Sequence, residues 1–320
     1  MVYRNLRSAG ADESELTLLR GVYRQYWLKM RLPLRSAAEA LTALHGAGLE
    51  PVSLKGLGLI AMAYPEATVR PMHDLDFLFR PGEFTPGLDA LLAKGWKPVR
   101  GTRATYIRRL KVFHALPLLG PDNVEIDLHR FMLEENCFAG ADAPVFERLR
   151  TGCAGDVPVT ALGPEDQVIN ACVHGVRWDP LPPLRWVLDA VMVIRSAGND
   201  FDWEYLFEES RRRDVSLGMS AALAFAAEFE PSIPQAIIDR LSAEKAGRLE
   251  RWDFRFQQGG NSLVSQIGRY VTRYLRLSAH RSPLRRALDF PTYLECMWEL
   301  ERPRQVPAEG IRRIWRRLRE

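Results

Sequence analysis

Two short strand-like stretches constrain this 320-residue chain more than any other feature: Asp74-Leu75-Asp76-Phe77-Leu78-Phe79, and the strictly alternating Val124-Glu125-Ile126-Asp127-Leu128-His129. In a β-strand, side chains two apart point to the same side. The first stretch therefore presents Asp74 and Asp76 on one face and Leu75 and Phe77 on the other. The second sets Glu125, Asp127 and His129 against Val124, Ile126 and Leu128. Both patterns are those of half-buried strands. Two carboxylates at this spacing repel each other unless a cation lies between them, so Mg²⁺ or Mn²⁺ is the natural partner. If the two strands are neighbours, three or four carboxylates converge. Such a cluster can hold two metal ions for in-line phosphoryl chemistry.

The surrounding pattern predicts an α+β protein. Before residue 50 the chain reads as helical, with Ser14 placed to cap one segment and a second helix around Ser36 to His45. Pro51 to Leu54 reads as a short strand, Gly56-Leu57-Gly58 as a turn, and Leu59 to Tyr64 as a helix. A helix is expected from Pro81 to Lys94, then strands at Lys97 to Val99, Thr105 to Leu110 and Val112 to Leu116. After about residue 160 the strand signals fade. Gly163-Pro164-Glu165-Asp166 marks a helix start, and helical periodicity dominates thereafter, interrupted at Pro180 to Pro183, Pro231, Pro283 and Pro303. The expected organisation is an N-terminal helix over 1–34, a mixed-sheet domain with flanking helices over 35–155, and a larger all-helical part over 156–320.

Composition excludes several classes. No window approaches 18 uncharged apolar residues, and the first 20 residues lack the apolar core of a secretory signal. The four cysteines are widely spaced with no C-x-x-C pair, which argues against a disulfide framework or zinc knuckle and suits a reducing, cytoplasmic setting. No P-loop, dinucleotide fingerprint or nucleophile elbow is present. The net charge of +4 conceals an asymmetry, because residues 241–320 hold 17 basic against 9 acidic side chains. That balance permits a nucleic-acid partner without favouring one. The terminal Ile311 to Glu320 segment is basic and amphipathic, as expected of a helix docking its apolar stripe onto its own protein; the Tyr270, Arg273, Tyr274, Arg276 mixture is likewise expected to serve helix packing.

Lys55-Gly56, Tyr64-Pro65, Arg70-Pro71-Met72-x-Asp74-x-Asp76 and Glu125-x-Asp127-x-His129, taken together, resemble the bacterial "uncharacterised nucleotidyltransferase" family of the DNA polymerase β-like superfamily. The likeness runs from about Leu41 to Phe229 and includes Val168 to His174 and Leu184 to Asp189. It implies an NTP donor, transfer of a nucleoside monophosphate to an acceptor hydroxyl, and release of pyrophosphate. It also implies that Asp74 and Asp76 are paired metal ligands and Asp127 the third carboxylate, which can accept the hydroxyl's proton. Glu125 shares the facing of Asp127 and competes for that role. By the same likeness Gly56 opens a helix whose backbone N–H groups approach the triphosphate, while Lys55 and Arg70 supply cations. The sequence departs from the superfamily in having Leu57, not serine, after Gly56.

Each residue also has a plainer reading. Lys55 can be a surface lysine, and Arg70 can pair with Asp74 as a structural salt bridge. His129 can be a satisfied strand histidine or a partner orienting Asp127. His73 is expected to be structural and His174 to pack in the core, and Cys172 beside it offers too few ligands for a metal. The acceptor can be a small molecule, peptide or saccharide. A toxin-like enzyme acting on protein or tRNA and a non-catalytic scaffold are the alternatives. Asp76→Asn is expected to abolish turnover at an unchanged or raised thermal midpoint, through relief of anion crowding.

Overall fold

The computed structural model describes residues 2–12, 14, 16–176, 184–260, 262–279, 281–300 and 302–319. The proline-rich break at 180–183 lies outside them. Seven strands form one mixed sheet: β1 (Val52–Leu54), β2 (Asp74–Leu78), β3 (Lys97–Pro98), β4 (Ala115–Leu119), β5 (Glu125–His129), β6 (Arg150–Ala154) and β7 (Val157–Ala161), in the order β3-β4-β5-β2-β1-β7-β6. β2 runs parallel to β5 and β1 parallel to β7, and the remaining pairs are antiparallel.

The N-terminal helices are α1 (Val2–Ser8) and α2 (Thr17–Gly46), followed by α3 (Lys55–Ala63), α4 (Phe84–Ala93), α5 (Arg103–Arg109) and α6 (Ala143–Glu147). The helical part comprises α7 (Pro164–Gly175), α8 (Arg185–Ala197), α9 (Trp203–Arg212), α10 (Ser216–Ala226), α11 (Gln235–Ala243), α12 (Arg248–Gln258), α13 (Leu263–Leu277), α14 (Pro283–Met297) and α15 (Val306–Arg319). The period-two pattern sends the two faces of the sheet into different cores. Leu75, Phe77, Ile126 and Leu128 pack with Ala37, Leu41, Leu44, Leu88 and Leu91 of α2 and α4. On the opposite face Val52, Leu54 and Leu78 join Val168, Ile169, Val191 and Leu223 of the helical part. The acidic face is therefore the one that the helical part covers.

Several expectations are corrected. The two helices expected after Ser14 and around Ser36 to His45 are one 30-residue helix, α2, with Pro33 inside it, because Met30, Pro33, Ala37, Ala40 and Leu44 form a single buried stripe. Ser14 does not cap it; Leu16 holds the cap position, and the Ser14 backbone N–H donates to Asp12. The glycine turn is the first turn of α3, which starts at Lys55. Thr105 to Leu110 is not a strand, since α5 occupies it and the Thr102 hydroxyl accepts the Thr105 N–H as an N-cap. The β6–β7 hairpin has a weak strand signal in the sequence, diluted by Gly152, Gly155 and Pro158. On the terminal helix Ile311 and Trp315 stay 59% exposed, so these two do not form a docked stripe. Tyr274 is buried and donates to the Arg286 carbonyl, and Arg276 pairs with Asp253, so these two serve packing, whereas Tyr270 and Arg273 line a cavity.

A buried polar node ties the helical part to the sheet domain. Arg213, fully buried, donates to Glu209 at 2.7 Å and to Asp142 at 3.0 Å. The Asn136 side-chain amide donates to the Arg213 carbonyl.

Candidate active site

The parallel pairing of β2 and β5 sets Asp74 opposite Glu125, Asp76 opposite Asp127 and Leu78 opposite His129. The four acids and the histidine thus share one face, as their alternation requires. Depth separates them. Asp74 and Glu125 are exposed at the strand starts, Asp127 is partly buried, and Asp76 and His129 are almost wholly buried. One ligand atom from each of Asp76, Asp127 and His129 lies within 4.8 Å of the other two, an arrangement able to hold a cation.

Asp76 is the hub. Its Oδ1 accepts the Lys55 ammonium at 2.6 Å and His129 Nε2–H at 2.9 Å. Burial by itself would push this carboxyl up, but Lys55 and His129 outweigh it and hold the group well below the usual carboxylate range. Asp127 moves the other way, to about 6, through burial and then the neighbouring Asp76 charge. His129 thus orients Asp76, where the sequence had suggested Asp127. Its Nδ1 side faces the Phe131 carbonyl at 3.4 Å.

Lys55 reaches Asp76 through an unusual backbone. It is the first residue of α3, follows β1 directly, and adopts φ +41°, a left-handed conformation that costs a non-glycine residue about 1–2 kcal/mol. The next residue, Gly56, is buried with no room for a side chain: a Cβ there would lie 2.8 Å from the Met72 Cβ. Leu54 holds the N-cap position of α3 and gives it no side-chain cap.

Arg70 is placed differently from the other predicted residues. Its guanidinium donates in bidentate fashion to Asp189, from Nε at 2.7 Å and Nη2 at 2.8 Å, and both residues are buried. The Tyr64 hydroxyl donates to the same carboxylate at 2.6 Å. Tyr64, Arg70 and Asp189 thus lock α8 onto the segment between α3 and β2. Asp189 carried no assigned role in the sequence; its position in an apolar helical run was the available signal. Arg70 still lines, together with Lys55, a cavity of about 230 Å³ walled by α7 and α8. Leu59, Asn170, His174, Arg185 and Trp186 complete much of its surface. The Trp186 ring packs against Gly175, where a Cβ would collide with it.

A mixed sheet with an acid pair on one strand, a third carboxylate on its parallel neighbour and a strand-to-helix turn alongside defines a nucleotidyltransferase-type domain. A family model described as "Uncharacterised nucleotidyltransferase" matches residues 1–231, and the chain belongs to that family. No curated protein matches the chain significantly. Among the described residues no helix is long and apolar enough to cross a membrane.

Proposed function

We propose that the protein is a metal-dependent nucleotidyltransferase that moves a nucleoside monophosphate from an NTP to an acceptor hydroxyl and releases pyrophosphate. The observation that carries this reading is the convergence of Asp76, Asp127 and His129 within 4.8 Å on two parallel strands, with Lys55 beside them. Carboxylate oxygens suit Mg²⁺ and Mn²⁺. Asp76 and Asp127 would hold the ion, with Asp74 and Glu125 next along the same face. A bound divalent ion would supply charge stabilisation to the phosphoryl oxygens and acidify the acceptor hydroxyl.

The remaining roles belong to the chain. The triphosphate enters the cavity of about 230 Å³ that Lys55 opens into, and Trp186 on its wall offers a face to the base. Lys55 transfers its ammonium from Asp76 to the triphosphate. Arg185, exposed on the cavity wall, supplies the second cation, because Asp189 already takes up two donors of Arg70. The acceptor oxygen bonds to the α-phosphorus and its proton passes to an Asp127 carboxylate oxygen. The bond from that phosphorus to the bridging oxygen breaks, and pyrophosphate leaves with the electron pair.

Incubation with each NTP, Mg²⁺ or Mn²⁺ and a cell lysate, with pyrophosphate release and mass spectrometry as readouts, tests the reading. Metal-stimulated release with a nucleotide adduct is expected, lost in Asp76→Asn. Full metal-stimulated release by Asp76→Asn overturns it.

A further inference from the structure

Side-chain contacts link the carboxylates to two cavities. On the β1 side of β2, Lys55 leads to the cavity of about 230 Å³. On the β4 side of β5, His129 meets His114 edge-on with ring centroids 5.4 Å apart. His114 in turn faces Glu134 at 4.0 Å, and Glu134 walls a second cavity of about 510 Å³. In-line phosphoryl transfer brings the attacking and leaving oxygens to phosphorus from opposite sides. A donor on the Lys55 side leaves the Glu134 side for the acceptor.

We propose that the larger cavity receives the acceptor, and that this acceptor carries both a cationic and an anionic group beside its hydroxyl. The proposal rests on the nucleotidyl-transfer reading above. Its support is the lining, where Glu134, Glu135 and Asp253 face Arg269, Arg273 and Arg276 in equal number. These charges already engage one another: Arg273 meets Glu134 at 3.1 Å and Arg276 meets Asp253 at 3.2 Å. A ligand of one sign would split such pairs and strand a like charge in a partly desolvated wall. A zwitterion exchanges partners with both members and strands neither. The volume lies within the range of small-molecule sites, about 300–1,000 Å³. A polyanion such as RNA meets three carboxylates here, as many as the arginines that could hold it. Most of the wall comes from α12 and α13, beyond residue 231 where the family match ends, so acceptor choice belongs to the part of the chain outside that match.

In the transfer step the acceptor oxygen forms the bond to the α-phosphorus, its proton goes to Asp127, and pyrophosphate departs with the bonding pair. The test supplies each α-labelled NTP with Mn²⁺ to the full chain and offers five acceptors: a seryl dipeptide with free termini, glucosamine 6-phosphate, glucose, glucose 6-phosphate and a transfer RNA. Label should enter one or both of the first two, with acceptor KM at least tenfold below that of the others, and the two arms separate a peptide from an amino-sugar source. Gln266→Trp, which fills the cavity, should raise acceptor KM at least tenfold with NTP KM unchanged. Gln257→Glu, which makes the wall net negative, should do the same should Gln266→Trp not fold. Preference for glucose, glucose 6-phosphate or RNA overturns the proposal, as does unaltered acceptor KM in a folded variant. Absence of label from both zwitterions, with metal-dependent NTP binding intact by calorimetry, overturns it too. Loss of that NTP binding in the wild-type protein would instead overturn the transfer reading.

Discussion

Lys55 and His129, 74 positions apart in the chain, converge on the same oxygen of Asp76, at 2.6 Å and 2.9 Å. The ammonium therefore competes with any divalent ion for Asp76 Oδ1. Lys55→Met should bind Mn²⁺ several-fold more tightly than wild type in the absence of nucleotide, and bind NTP at least tenfold more weakly. Calorimetric titration of each ligand checks both directions; a parallel loss of metal and NTP affinity would contradict the competition.

The buried setting of Asp76 reverses the expectation drawn from crowded anions. Asp76→Asn removes a carboxylate that two donors already satisfy, leaving the Lys55 ammonium without its counter-charge. In the presence of a chelator its stability should fall by about 1–3 kcal/mol. Asp74→Asn, on an exposed residue, should stay within about 0.5 kcal/mol of wild type. Urea unfolding of the two variants side by side makes the comparison.

Arg70 and Asp189 form the buried pair that joins α8 to the sheet domain. Removing one partner strands a charge, so Arg70→Met or Asp189→Leu should cost about 3–5 kcal/mol each. The double variant should cost less than the sum of the two, because no uncompensated charge remains. A double-mutant cycle by chemical denaturation reads the coupling, and additive losses would show that the pair does not act as one unit.

Asp166 has the clearest pH signature. It is fully buried in α7, and burial raises its carboxyl to about 7 despite attraction from Arg213 and the Tyr205 hydroxyl. The folded chain then holds a proton that the unfolded chain has released between the ordinary value of 3.8 and about 7. Stability linked to this group is complete below that window and declines as pH rises through it, by on the order of 4 kcal/mol. Asp166→Asn should flatten that slope and be relatively more stable than wild type at pH 8 than at pH 4. Identical pH profiles for the two proteins would remove Asp166 from the linkage.

The acidic strands were legible because period-two alternation is a local property, set by which way successive side chains leave the backbone. Residues whose local chemistry competed with their surroundings were not. Thr105, Tyr106 and Ile107 have strand-forming side chains, but a threonine cap and burial of Tyr106 make them helical. Pro33 marks a break by its own chemistry, but the buried stripe on either side carries α2 through it. Gly56 and Gly58 suggest a turn, whereas helix α3 needs them small: Gly56 lies against Met72, and at Gly58 a Cβ would meet the Ser53 carbonyl.

By itself the sequence determined that Asp74 and Asp76 share one face of their strand, and Glu125, Asp127 and His129 one face of theirs, since side-chain direction follows from neighbours in the chain. Only the tertiary structure decided which of them is the hub, because depth in the sheet and the arrival of Lys55 depend on how β1, β2 and β5 stack. It alone turned Arg70 from the carboxylates to Asp189, 119 residues away. It alone linked the acids to two cavities, through Lys55 to one and through His129, His114 and Glu134 to the other. Those partnerships are made between distant segments, whose meeting is governed by packing and charge pairing across the whole fold rather than by any local pattern.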